Sequence, residues 1–169
     1  MLFRIKPRDR GGERPRPPAF KLPTSRAVVT VHVVNGILVL ALSLVAGAWG
    51  SWAWIRREPT VVFWYLLRAM QVAVVLQVAF GSILLLAGRS APSGLHYLYG
   101  VLPLLVSLLA EGLRAGISER ELEGLDFDSL PADRRRAVAL AIVRRETGAM
   151  AVSALVVFLL ALRAVGTAG

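Results

Sequence analysis

The sequence predicts an all-α fold, an integral membrane four-helix bundle with a disordered basic N-terminal tail. Three observations predict it. Hydrophobic residues make up 56% of the 169 and mean hydropathy is +0.60, above the share of about 45–50% usual for a water-soluble domain. The apolar residues fall in continuous runs, and about 20 such residues in a helix cross the hydrocarbon core of a bilayer. The charged residues collect between these runs. A membrane β-barrel instead needs alternating segments of roughly ten residues, a pattern this chain lacks.

The elements follow in order. Residues 1–26 are rich in Pro, Gly and Arg and carry eight basic side chains. They hold no apolar stretch of the kind a cleavable signal needs, and too little apolar surface to fold alone. The tail is therefore 1–26 and the bundle 27–169. From Ala27 to Ile55 no charge occurs, which predicts a first span over about 27–50. Arg56, Arg57, Glu58 and Pro59 end it, because proline breaks a helix and charge leaves the bilayer. A second span over about 61–87 contains one charge, Arg68. Trp49, Trp52, Trp54, Trp64 and Tyr65 flank the intervening turn, as aromatics do at a membrane–water boundary.

Gly88 to Gly94 is a short turn-rich loop that makes spans two and three an antiparallel hairpin. The third span covers about 95–113, with Tyr97 and Tyr99 near the opposite interface. A charged segment, Arg114 to Asp133, follows. A helix is then expected from near Ser129, with Pro131 in its first turn. It carries Arg134, Arg135 and Arg136 along an interfacial stretch, about 130–145, and crosses the bilayer over about 146–164.

The net charge is +9, but the basic residues stand at the edges of apolar runs. Charge placed there orients a membrane protein and contacts lipid headgroups, so the expected partner is the lipid bilayer and not nucleic acid. The N-terminal side gathers the eight tail residues with Arg89 and Arg163. The other side gathers nine: Arg56, Arg57, Arg114, Arg120, Arg134, Arg135, Arg136, Arg144 and Arg145. That near balance decides nothing, but so basic a tail resists translocation, which places the N-terminus in the cytoplasm. Only Lys6 and Lys21 are lysine, an arginine bias expected of a GC-rich bacterial genome and hence of a bacterial plasma membrane.

The chain has no cysteine, which removes disulfides, thiolate metal sites and a cysteine nucleophile. No phosphate-binding loop, H-E-x-x-H motif or serine triad occurs, so no catalytic residue is assigned and enzymatic activity is not expected. The two histidines carry the most chemistry. His32 lies early in span one and His96 opens span three. These spans run in the same direction, so both imidazoles lie at similar depth. At about 100° per residue His32, Asn35, Gly36, Val39, Ser43 and Gly47 share one helix face, and His96, Gly100, Pro103, Ser107 and Glu111 another. Small and polar residues mark the bundle-facing side. Two inward imidazoles with Asn35, Gly36 and Gly100 beside them point to axial ligation of one b-type heme iron. A quinone head group, or hydrogen bonding between helices alone, fits the same residues.

A second cluster lies toward the other interface. Arg68 in span two, Glu111 near the end of span three and Glu146 at the start of span four fall in one layer, and an intramembrane arginine calls for a carboxylate. The expectation is a buried ion pair, with Gln71 on the same side of its helix as Arg68. A proton or substrate path is the functional alternative.

The segments His32 to Gly47 and Leu76 to Leu105 resemble four-helix membrane heme bundles, chiefly one half of heme A synthase and more distantly cytochrome b561. In heme A synthase a helix containing Gln and Gly leads through a short loop to a helix bearing a heme-ligand histidine. Gln77, Gly81 and His96 stand in that order, and the resemblance implies His32 as the partner ligand. The synthase carries a glutamate beside its first histidine and this chain has none near His32, so the resemblance implies heme binding without synthase activity. The chain also resembles small membrane proteins of high-GC bacteria. Three readings follow: a heme-binding electron-transfer protein, a cofactor-free structural or assembly subunit of a larger membrane complex, and a small transporter-like protein using Arg68 and Glu111.

Overall fold

The structure is a computed structural model and describes residues 25–91 and 93–167. The tail expected over 1–26 lies, as far as residue 24, outside the described residues. Among them the fold is all-helical: α1 (Ser25–Arg56), α2 (Val61–Leu86), α3 (Gly94–Leu122) and α4 (Ala132–Gly166), with one turn of 3-10 helix at Phe127–Ser129. At about 1.5 Å per residue, the 26 residues of α2 already exceed the roughly 30 Å of the hydrocarbon core. The other three helices are longer.

The helices alternate in direction around the bundle. α1 lies against α2 and α4, and α3 against α4, while α2 and α3 approach each other much less closely. α1 and α3 are therefore diagonal partners. Close approach of α1 to its neighbours rests on small residues. A Cβ at Gly50 would stand 2.4 Å from Phe63 and 2.9 Å from Ala151, and one at Gly47 would stand 2.5 Å from Leu155. Between bilayer-exposed helices, dispersion contacts of this kind replace the hydrophobic drive that water supplies to soluble bundles. Phe63, Leu67, Met70, Val74, Met150 and Val157 fill the centre. Ile37, Val72, Leu108, Leu109 and Leu159 point outward.

Two boundaries differ from expectation. The third helix does not stop near residue 113 but continues to Leu122. Its charged end is held against α4: Ser118 Oγ donates to Glu146 Oε1 at 2.6 Å, and Glu121 pairs with Arg145. The last helix starts at Ala132, not near Ser129, and Pro131 is its N-cap with extended backbone (ψ 149°). The 3-10 turn takes the place of the expected first turn. α4 then runs unbroken through both the interfacial stretch and the fourth span, so α3 and α4 project together beyond the end of the bundle where α1 turns into α2.

Candidate functional site

The diagonal helices bring the two histidines together at one end of the bundle, with ring centroids 6.4 Å apart and planes at 58°. Each ring is anchored to a different neighbour. Ala164 is near the C-terminus of α4, and its carbonyl lies 3.1 Å from His96 Nδ1. A carbonyl only accepts, so Nδ1 carries the proton and Nε2 keeps its lone pair.

His32 is set by a chain of amides between α1 and α2. Asn35 Nδ2 donates to the Ala73 carbonyl and to Gln77 Oε1, both at 2.8 Å. Gln77 therefore turns Nε2 toward His32 Nε2, 3.2 Å away. An amide nitrogen only donates, so His32 Nε2 accepts and the ring proton lies on Nδ1. That Nδ1 is buried and has no partner among the described residues. Such an atom in a membrane bundle calls for explanation, because an unpaired buried donor costs about 1–3 kcal/mol.

The small residues around the rings divide the work. A Cβ at Gly81 would meet His32 Cε1 at 3.4 Å, so Gly81 seats that ring. Gly36 makes room for the Gln77 amide, 3.2 Å from where its Cβ would stand. Gly100 faces open space. Among the described residues no group of three or more His, Cys, Asp or Glu side chains is placed to hold a metal ion.

The second layer is more connected than its three expected members. Arg68 pairs with Glu111 at 2.7 Å. Gln71 bridges them, accepting from Arg68 at 2.6 Å and donating to Glu111 at 2.7 Å. Arg114, which sequence reasoning did not place here, reaches Glu111 at 3.0 Å and Glu146 at 3.8 Å. Its guanidinium also lies over Trp64, 5.8 Å from the ring centroid. Glu146 is buried, but Arg68 is half exposed on the outer face of the bundle. The Arg68–Glu111 pair is thus not a buried one: Arg68 emerges where α2 and α3 separate. Arg114 was discoverable, since it follows Glu111 by three residues and so shares its helix face.

Four antiparallel helices, each long and apolar enough to cross a bilayer, with large aliphatic side chains facing outward, define a multi-pass membrane protein of the four-helix-bundle class. Compared with known protein families, curated proteins and solved structures, the chain matches none.

Proposed function

We propose that the protein is a small b-type heme protein for electron transfer, with His32 and His96 as axial ligands. One observation carries this reading: the 6.4 Å between the ring centroids. Metal–imidazole bonds of about 2 Å, as at zinc, together with the half-widths of two rings, separate the centroids of a ligand pair by roughly 6 Å. His96 has the supporting bond usual for a metal-binding histidine, Nδ1–H to a backbone carbonyl, which fixes the ring and directs Nε2 as donor. On the other side the partnerless nitrogen is His32 Nδ1.

For Nδ1 to ligate iron, the proton of His32 moves to Nε2 and Gln77 presents Oε1 to it. That turn breaks the Asn35–Gln77 bond and brings two amide nitrogens face to face, leaving Asn35 with the Ala73 carbonyl as its acceptor. When bound, heme supplies one-electron redox chemistry, tuned by its axial ligands. The exchange partner is then a quinone or a larger membrane complex. A stoichiometry of one heme per chain, by pyridine hemochrome assay of protein purified from heme-sufficient cells, is the expected result. Protein free of heme after reconstitution contradicts it.

One observation favours a second reading, a cofactor-free structural or assembly subunit. The Asn35–Gln77–His32 chain satisfies His32 Nε2 from within the protein, as interhelical hydrogen bonding alone requires. The hemochrome assay separates the two.

The N-terminus is assigned to the cytoplasmic side of a bacterial plasma membrane, on the basic character of the tail. Reporter fusions after residue 91 should then be cytoplasmic and those after residue 57 external. The reverse pattern overturns that orientation.

A further inference from the structure

At the opposite end from the histidines, a groove of about 290 Å³ opens between the end of α1 and the middle of α4. Leu140 and Val143 give it apolar lining, and Trp54, Arg57, Glu58 and Arg144 line it as well. Among the described residues neither Arg57 nor Arg144 has a carboxylate partner. Both are exposed at the level of the tryptophan belt. Two guanidiniums and one carboxylate leave the groove one positive charge in excess.

The backbone under Arg57 is unusual. α1 ends with Glu58 N–H bonded to the Ala53 carbonyl (3.1 Å) and Arg57 N–H to the Trp54 carbonyl (3.3 Å). This is the Schellman arrangement, which demands a left-handed residue and favours glycine there. α2 ends in the same way, with Arg89 N–H to Leu84 and Gly88 N–H to Leu85, and uses Gly88 at φ +78°. α1 instead holds Arg57 at φ +60°. A non-glycine residue held in this sparsely populated region marks Arg57 as a candidate for a functional role. Trp54 is placed just as deliberately. It lies across α4 at Gly148, where a Cβ would stand 2.7 Å from the indole.

We propose that this groove binds the head group of an anionic phospholipid, with the phosphate between Arg57 and Arg144 and the Trp54 indole against the glycerol region. A phosphodiester carries one negative charge, which matches the excess. Arginine forks suit phosphate oxygens. This inference is independent of the heme reading.

The test is thermal unfolding of the full chain in nonionic detergent with added phosphatidylglycerol, phosphatidylcholine or inorganic phosphate. Phosphatidylglycerol should raise the midpoint more than phosphatidylcholine does, and inorganic phosphate should not reproduce the excess. Arg57→Gly and Arg144→Gln should each lose the excess, while Arg134→Gln, outside the groove, keeps it. Without lipid, Arg57→Gly should unfold no lower than the parent, because glycine accepts this backbone freely. An equal effect of the two lipids overturns the proposal, as does an excess reproduced by phosphate, surviving in either groove variant or lost in Arg134→Gln. If Arg57→Gly does not fold, Arg144→Gln decides alone.

Discussion

His96 donates its Nδ1 proton to the carbonyl of Ala164 across 3.1 Å, tying the first turn of α3 to the last turns of α4. The same carbonyl already accepts from the Thr167 backbone N–H at 3.2 Å and from Thr167 Oγ1 at 2.8 Å. Losing the histidine therefore leaves no orphaned acceptor. His96→Ala should insert and fold with a loss of only about 0.5–1.5 kcal/mol, the range of one ordinary hydrogen bond. Unfolding of the variant in mixed micelles measures this, and failure to fold contradicts the assignment of the Ala164 bond.

Gln77 is the hinge of the other half of the site. Gln77→Leu removes an acceptor from buried Asn35 and the donor to His32 Nε2, with an expected loss of about 1–3 kcal/mol. Adding Asn35→Leu should recover part of that loss, because removing both partners of a bond costs less than orphaning one. Strictly additive losses in the double variant contradict the contact.

In the charged layer, Glu111 accepts from Arg68, Gln71 and Arg114, whereas Arg68 is half exposed. Glu111→Gln should therefore destabilise more than Arg68→Met. A double-mutant cycle should show coupling of at least about 0.5 kcal/mol. Equal single losses with no coupling would mean that the pair does not form.

Two glycines in the same fold should behave oppositely. Gly50→Ala places a methyl 2.4 Å from Phe63 and 2.9 Å from Ala151, and overfilling a contact of this kind costs about 1–3 kcal/mol. Gly100→Ala meets nothing within 4 Å, and replacing a mid-helix glycine gains up to about 1 kcal/mol. A Gly100→Ala variant less stable than Gly50→Ala would contradict the described helix contacts.

Much of this was readable before the structure. Long charge-free runs announce spans, and two spans of the same direction put His32 and His96 at one depth. Antiparallel neighbours bring Arg68 to Glu111. What was hidden depends on contacts that side-chain types do not encode. The Ala164 carbonyl is backbone and leaves no mark in sequence. The continuation of α3 to Leu122 looked improbable from its charges alone, because the partners that hold it, Glu146 and Arg145, lie on α4. Gln77 was visible as a polar residue amid apolar ones, but its place between Asn35 and His32 depends on how α1 and α2 align. The left-handed backbone at Arg57 was hidden because its residue type argues against it.

The histidine pair is tested most directly by the visible spectrum of the purified, heme-reconstituted protein, oxidised and dithionite-reduced, beside His32→Ala and His96→Ala. Bis-imidazole ligation predicts a low-spin Soret band and sharp α and β bands on reduction. Either substitution removes one axial bond, so each variant should turn high-spin or lose its heme. Both should remain four-span proteins, since neither change adds charge to an apolar helix. A parent protein that stays colourless, or variants whose low-spin spectra match the parent's, would contradict ligation by His32 and His96.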